Sequence, residues 1–135
     1  MSDSHTISIR QGRRVLLMDS ISYITEDARG QIVISGSHGG SAAARYAAPI
    51  KPRLVVFNDA GVGKDEAGIA GLSILQEAGV AAVAVHHTSA RIGEAEDAWN
   101  SGIISHVNAL AAAMGLQPAM KLKEAIIHNP RISTA

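Results

Sequence analysis

The sequence predicts an α/β domain with a mostly parallel sheet, and the prediction starts from a rhythm that occurs three times. Short, continuously apolar runs occur at residues 31–34, 53–57 and 80–85. Each run is followed by a polar loop and then by a segment of helical length. Continuously apolar runs are typical of strands covered on both faces. Strand, loop and helix in this order indicate parallel strands joined by right-handed crossovers.

The first 30 residues predict a β-strand or a β-hairpin ahead of this rhythm. Ile7 and Ile9 alternate with polar neighbours, as in a half-buried strand. Gln11 and Gly12 have turn chemistry, and residues 14–18 form a second apolar run.

Four helices are expected between and after the strands, over residues 41–48, 65–78, about 100–114, and 121–128. Pro49 ends the first of them, and Gly79 lies just past the second. The third has the strongest periodicity, because its apolar residues recur at helical spacing up to Gly115: Ile103, Val107, Leu110 and Met114. Its apolar stripe and its alanines also predict packing against a second copy of the chain, as a homo-oligomer.

Length and composition suit one domain over residues 1–135, a compact three-layer α/β/α sandwich. It resembles Rossmann-like or flavodoxin-like domains in outline. A chain of 135 residues supports one hydrophobic core, and a hydrophobic content of 47% argues against disorder.

Charge and residue usage exclude several classes of partner. Twelve basic and twelve acidic residues balance to zero, which predicts no nucleic-acid or membrane partner and mildly favours self-association. The absence of cysteine excludes disulfides and thiolate nucleophiles. No apolar run approaches the ~18 residues of a membrane span, and the polar start lacks a signal-peptide core. The expected location is therefore cytoplasmic.

Polar clusters follow each of the three apolar runs, and ligands in open α/β sheets bind outside the carboxyl ends of the strands. The sequence therefore predicts a small-molecule pocket at this edge of the sheet. The candidate catalytic residues are Ser37, His38, Asp59 and His86. The candidate substrate-binding residues are Gly36, Gly39, Gly40, Asn58, Gly61, Gly63, Lys64, Ser89 and Arg91.

Ser37 fits the requirements of a nucleophile on a tight strand-to-helix turn, as in α/β-hydrolases, because small residues stand two places to either side. The order Ser37, Asp59, then His86 or His87 also matches that fold, although the chain is too short for its full sheet. Adjacent residues at a strand end point to opposite faces, so one histidine of the pair is expected in the pocket. The alternative is a glycine-rich turn with polar side chains in solvent.

Nucleotide and metal motifs are missing from the same loops. Asn58 stands at the first glycine of a phosphate-binding loop and Asp65 at its hydroxyl position, while Glu66 replaces the third glycine of a dinucleotide motif. His38, Asp59 and either His86 or His87 could converge on a metal, yet no ligand spacing typical of metal sites supports this. No cofactor and no metal are therefore predicted.

These residues lead to the hypothesis of an enzyme, hydrolase or lyase, that acts on a small metabolite bearing carboxylate or phosphate. Ser37 would be nucleophile or hydrogen-bond donor, His86 or His38 the proton carrier, and Asp59 its orienting group. Lys64, at the expected helix start, and Arg91 would hold the anion, unless Arg91 pairs with Glu94 or Asp97. The alternative is a non-catalytic ligand-binding module or an accessory subunit of a larger enzyme.

Overall fold

A six-stranded sheet forms the centre of the protein in a computed structural model that describes residues 4–8 and 14–133. The strands lie in sequence order: β1 (Ser4–Ser8), β2 (Arg14–Met18), β3 (Ile32–His38), β4 (Leu54–Asn58), β5 (Ala81–Val85) and β6 (Ile104–Val107). Neighbours from β2 to β5 are parallel, whereas β1 and β6 are antiparallel edge strands. The predicted parallel strands and the predicted hairpin are confirmed; the turn predicted at Gln11 and Gly12 lies outside the described residues.

Six α-helices are present in the described ranges: α1 (Ser41–Ala47), α2 (Gly71–Glu77), α3 (Ala95–Ser101), α4 (Ala109–Ala113), α5 (Leu122–Ile127) and α6 (Pro130–Ser133). Single 3-10 turns occur at Ile21–Tyr23, Glu26–Ala28 and Lys64–Glu66. Among the helices of residues 14–133, none is long and apolar enough to cross a membrane.

Helices cover both faces of the sheet, which confirms the three-layer α/β/α architecture. On one face, Val33 and Val55 pack with the first two 3-10 turns, α1 and α2. On the other, Ile34 and Val83 pack with α3, α4, α5 and α6. The connections after β2, β3 and β4 thus lie on one face, and the connection after β5 lies on the opposite face.

The connections after β4 and β5 leave the carboxyl edge of the sheet toward opposite faces, and we call the place between these two strand ends the crevice. Rossmann and flavodoxin sheets obtain such a crevice by reversing their strand order, and their ligands bind there. Here the strand order is sequential. The crevice arises instead because α2 leaves β4 on one face while α3 leaves β5 on the other.

The helix predicted over residues 100–114 is wrong. This segment contains the end of α3, the strand β6 and the short helix α4. Asn108 separates the last two, because its side chain caps α4 at Ala111 and also accepts a hydrogen bond from Ala82 in β5. The helix that was expected to join two copies of the chain therefore does not exist.

Glycines allow the loops at the carboxyl edge to touch through their main chains. The carbonyl of Gly36 accepts a hydrogen bond from the N–H of Gly93 at 2.7 Å, and a Cβ on Gly36 would lie 2.6 Å from the nitrogen of Glu94. Since backbone atoms cannot move aside as a flexible side chain can, only glycine fits at this position.

We expect Gly36→Ala to lower the free energy of unfolding by roughly 2–3 kcal/mol, the scale of overpacking a tight interior. Urea denaturation measures the change. Gly79→Ala is the control, because its added Cβ would meet nothing within 4 Å and only the positive φ angle of 81° opposes the change. Equal losses in the two variants would contradict the proposed backbone junction.

Candidate functional site

Asp59 is a buried carboxylate at the crevice between β4 and β5. Its side chain is 3% exposed and lies directly after β4. Its Oδ1 accepts hydrogen bonds from the backbone N–H groups of Gly61 at 2.9 Å and His87 at 3.0 Å. The Nδ1 atom of His87 lies 3.2 Å from the same oxygen, and Nδ1 of His86 lies 3.7 Å from Oδ2. One carboxylate therefore orients the imidazole of His87 by a hydrogen bond and lies close to that of His86.

The environment of Asp59 favours its charged form. Burial opposes ionisation, but donors at Gly61, Ser105 and His87 outweigh it, so the pKa of Asp59 lies below its usual value. At neutral pH the side chain is therefore an anion that can stabilise a protonated imidazole.

Both histidines contact Asp59, contrary to the expectation that only one would face the site. Strand β5 ends at Val85, so the alternation of side chains along a strand does not extend to His86 and His87. The side chains of His86 and His87 are 49% and 52% exposed, which leaves part of each ring open to a ligand.

Ser37 and His38, at the end of β3, form hydrogen bonds with other partners than the predicted Ser–His–Asp arrangement requires. Strand β3 runs on to His38, so Ser37 stands within a strand and not on a sharp turn. Its hydroxyl oxygen accepts from the backbone N–H of Ile21 at 3.0 Å. In the described part of the chain, no hydrogen bond joins Ser37 to Asp59 or to either histidine of the pair.

Ser37 and His38 instead line a separate cavity of about 310 Å³ beside α1, together with Ser20, Ser22 and Tyr46. The Nδ1 atom of His38 accepts a hydrogen bond from the N–H of Gly40 at 3.1 Å. This ring is therefore engaged with the turn before α1.

Two of the predicted binding residues hold loops in place. Asn58 is 1% exposed; its Nδ2 donates to the carbonyl of Ala90 at 2.8 Å and its Oδ1 accepts from the N–H of Ala60 at 2.8 Å. The hydroxyl of Ser89 donates to the carbonyl of His86 and accepts from the N–H of Ile103. Both side chains thus hold the loops after β4 and β5 in place.

The predicted glycines take different places around the edge. Gly39 and Gly40 form the turn before α1, where the carbonyl of Gly39 accepts from the N–H of Gly71 at 2.7 Å. Gly61 and Gly63 belong to the loop after β4 and have φ angles of 75° and 74°. The N–H of Gly61 donates to the carboxylate of Asp59, whereas the carbonyl of Gly36 accepts from Gly93.

The loop after β4 is strained and carries Lys64. Four of its non-glycine residues have positive φ angles: Ala60, Val62, Asp65 and Glu66. Such angles cost free energy and cluster at functional sites. Because α2 begins only at Gly71, Lys64 opens a single 3-10 turn and not the helix predicted over residues 65–78. Lys64 is exposed, and among the described residues no acidic group pairs with it.

Arg91 lies on the loop after β5 and is also exposed. Within residues 14–133, neither Glu94 nor Asp97 forms an ion pair with its guanidinium group. The carboxylate of Asp97 accepts instead from the backbone N–H of Arg91 at 2.8 Å. The side chain therefore remains available to an anion.

Ser105 and His106 lie on β6, where Ser105 interacts with Asp59; the sequence interpretation had not assigned either residue to the site. The Nδ1 atom of His106 lies 3.0 Å from the hydroxyl oxygen of Ser105, whose interaction with Asp59 contributes to the lowered pKa of that carboxyl. No motif marks these two residues, and the predicted helix had assigned them to the wrong element.

No group of three or more His, Asp or Glu side chains that could hold a metal ion is found among the described residues. No protein-family model, curated protein or solved structure matches the chain. The interpretation of the site therefore depends on its own geometry.

We expect Asp59→Asn to lower the free energy of unfolding at pH 7 by roughly 2–4 kcal/mol, because the hydrogen bonds that Asp59 accepts are charge-assisted. The folded pKa of Asp59 lies below the unfolded value of about 3.9. The stabilisation is therefore complete above the unfolded pKa and is lost as the pH falls through the folded pKa. Urea denaturation at several pH values measures this.

The exposed Asp65 provides the matched control, since Asp65→Asn removes a carboxylate of the same loop without breaking a buried contact. A gap between wild type and Asp59→Asn that stays constant, or widens, below pH 4 would contradict the proposed role of the charge.

Proposed function

We propose that this protein is an enzyme, a hydrolase or a lyase, that transfers protons on a small metabolite bearing carboxylate or phosphate. The observation that carries the proposal is the buried, ionised Asp59 with two half-exposed imidazoles against it. A carboxylate that fixes a histidine ring and stabilises its protonated form is a recurrent device of general acid–base catalysis.

His87 is the better placed of the two proton carriers. Its Nδ1 atom lies within hydrogen-bonding distance of Asp59, and its backbone N–H binds the same oxygen. His86 lies slightly farther away and supplies a second imidazole at the crevice. The Ser37 hydroxyl is hydrogen-bonded to the backbone N–H of Ile21, so the reaction has no serine nucleophile. His87 instead activates either a water molecule or an acidic C–H group of the substrate.

Two exposed cationic side chains favour an anionic substrate. Lys64 and Arg91 are both exposed and lie on the loops that follow β4 and β5. Lysine provides a point charge, and arginine can bind carboxylate or phosphate through two parallel hydrogen bonds.

We expect turnover of at least one compound in a panel of phosphate- and carboxylate-bearing metabolites, followed by proton and phosphorus NMR. His87→Asn should lower the rate by roughly 100-fold or more, the scale of general acid–base catalysis. His128→Asn is the control, because His128 is exposed near the C-terminus. A His87→Asn variant as active as wild type would overturn the proposal.

The same panel tests the two cations by calorimetry. Lys64→Ala or Arg91→Ala should weaken anion binding about tenfold, since each removes one charge-assisted contact. Thermal stability should stay nearly unchanged, because both side chains are exposed. Lys121→Ala, at an exposed residue before α5, is the matched control. Binding without turnover would identify the alternative, a ligand-binding module or accessory subunit.

The proposed cytoplasmic location and the proposed homo-oligomer follow from the amino-acid composition. The lack of cysteine supports a reducing, cytoplasmic setting, and zero net charge supports a homo-oligomer. Light scattering that shows a monomer at micromolar concentration would contradict self-association.

A further inference from the structure

A β-bulge at Ser105 brings two adjacent side chains of β6 together. Ala84 pairs with His106 and Val85 pairs with Ile104, so Ser105 is an extra residue on the edge strand. Adjacent residues of a regular strand point to opposite faces, whereas a bulge changes the direction of a side chain. The bulge accounts for the 3.0 Å contact between Ser105 Oγ and His106 Nδ1.

The partners of Ser105 determine which nitrogen of His106 carries the proton. Two acceptors lie near the Ser105 hydroxyl: the carbonyl oxygen of Ala84 at 3.3 Å, and the carboxylate of Asp59, whose pKa Ser105 lowers. Both neighbours can only accept, and a hydroxyl has one proton to give. We infer that Ser105 gives its proton to one of these oxygens and accepts from His106, which places the proton of the neutral ring on Nδ1 and leaves Nε2 as an acceptor.

His106 also lines a cavity of about 350 Å³ between β6 and α2. Ile69 and Leu72 give this cavity an apolar wall, while Ser73 and Gln76 add polar groups. Glu66, on the strained loop after β4, is the acidic side chain in its lining. An apolar cavity with a few polar groups is the usual form of a small-molecule site.

We propose that this cavity binds a ligand with an apolar body and a hydrogen-bond donor, and that His106 Nε2 accepts the hydrogen bond or the proton of that donor. In the proton transfer, the bond between X and H of the ligand breaks, an Nε2–H bond forms, and the electron pair stays on X. The imidazolium keeps its Nδ1–H on Ser105. The proton transfer rests on the proposed function; the tautomer and the binding do not.

The tautomer is measured without any ligand, by long-range proton–nitrogen NMR on protein labelled with ¹⁵N-histidine. We expect His106 Nε2 to resonate as an unprotonated nitrogen in the neutral ring and Nδ1 as a protonated one. Ser105→Ala should shift the ring toward the Nε2–H form, and Ser105→Thr should restore the wild-type pattern because it keeps the hydroxyl. Ser101→Ala, at an exposed residue, should change nothing. An Nε2–H ring in wild type, or an unchanged ring in Ser105→Ala, would overturn the inference.

Phenol, which combines an apolar ring with one O–H donor, is the binding probe. We expect saturable shifts at the amides of Ser73 and Gln76 and at His106 Nε2, and a loss of affinity of about tenfold in His106→Phe, the scale of one hydrogen bond to a strong acceptor. Absence of these shifts, or equal affinity in His106→Phe, would overturn the ligand assignment. Neither measurement requires turnover, so an inactive His87→Asn variant leaves them unaffected, and their failure leaves the roles of His86 and His87 intact.

Discussion

The segment after β5 passes across the ends of three other strands, and its main chain is fixed at each crossing. Asn58 at the end of β4 holds the carbonyl of Ala90, Gly36 of β3 accepts from Gly93, and the carboxylate of Asp19, just after β2, accepts from the N–H of Ala95. This path carries the chain to the opposite face of the sheet, where α3 packs. The position of the crevice follows from it, because α2 remains on the first face.

The same crossing separates the polar groups that a pocket spanning all three loops would have joined. On one side, Ser37 and His38 face a cavity beside α1. On the other, Asp59 faces the start of the loop after β5 and the edge strand β6. A carboxylate so deeply buried would be costly as an anion without donors, and the N–H groups of Gly61 and His87 meet this need with local backbone.

The antiparallel strand β6 contributes side chains of the strand itself to the site. A parallel strand presents its carboxyl end at this edge, whereas β6 is antiparallel to β5 and presents its amino end, with Ile104 paired to Val85. The bulge at Ser105 uses this geometry, and His106 thereby joins a site whose other residues stand in loops. Asn108 follows β6 and caps α4, so this one residue determines where the edge strand β6 ends.

The sequence by itself determined the elements whose signals are local. The apolar runs gave the parallel strands, Pro49 and Gly79 bounded the helices, and Asp59 was assigned to the ligand-binding edge because it directly follows a strand. The prediction for residues 100–114 was wrong because their apolar spacing suits one helix. Pairing with β5 and the hydrogen bonds of Asn108 favour a strand followed by a short helix instead.

Only the tertiary structure decided which side chains of the site contact each other. Asp59 meets His87 and Ser105 across long stretches of chain, and Ser37 meets Ile21 rather than a histidine. Strand alternation, on which the sequence interpretation of His86 and His87 depended, ends with the strand itself. Periodicity reports which face of an element is apolar; which loops approach each other depends on where the backbone can come close, as at Gly36.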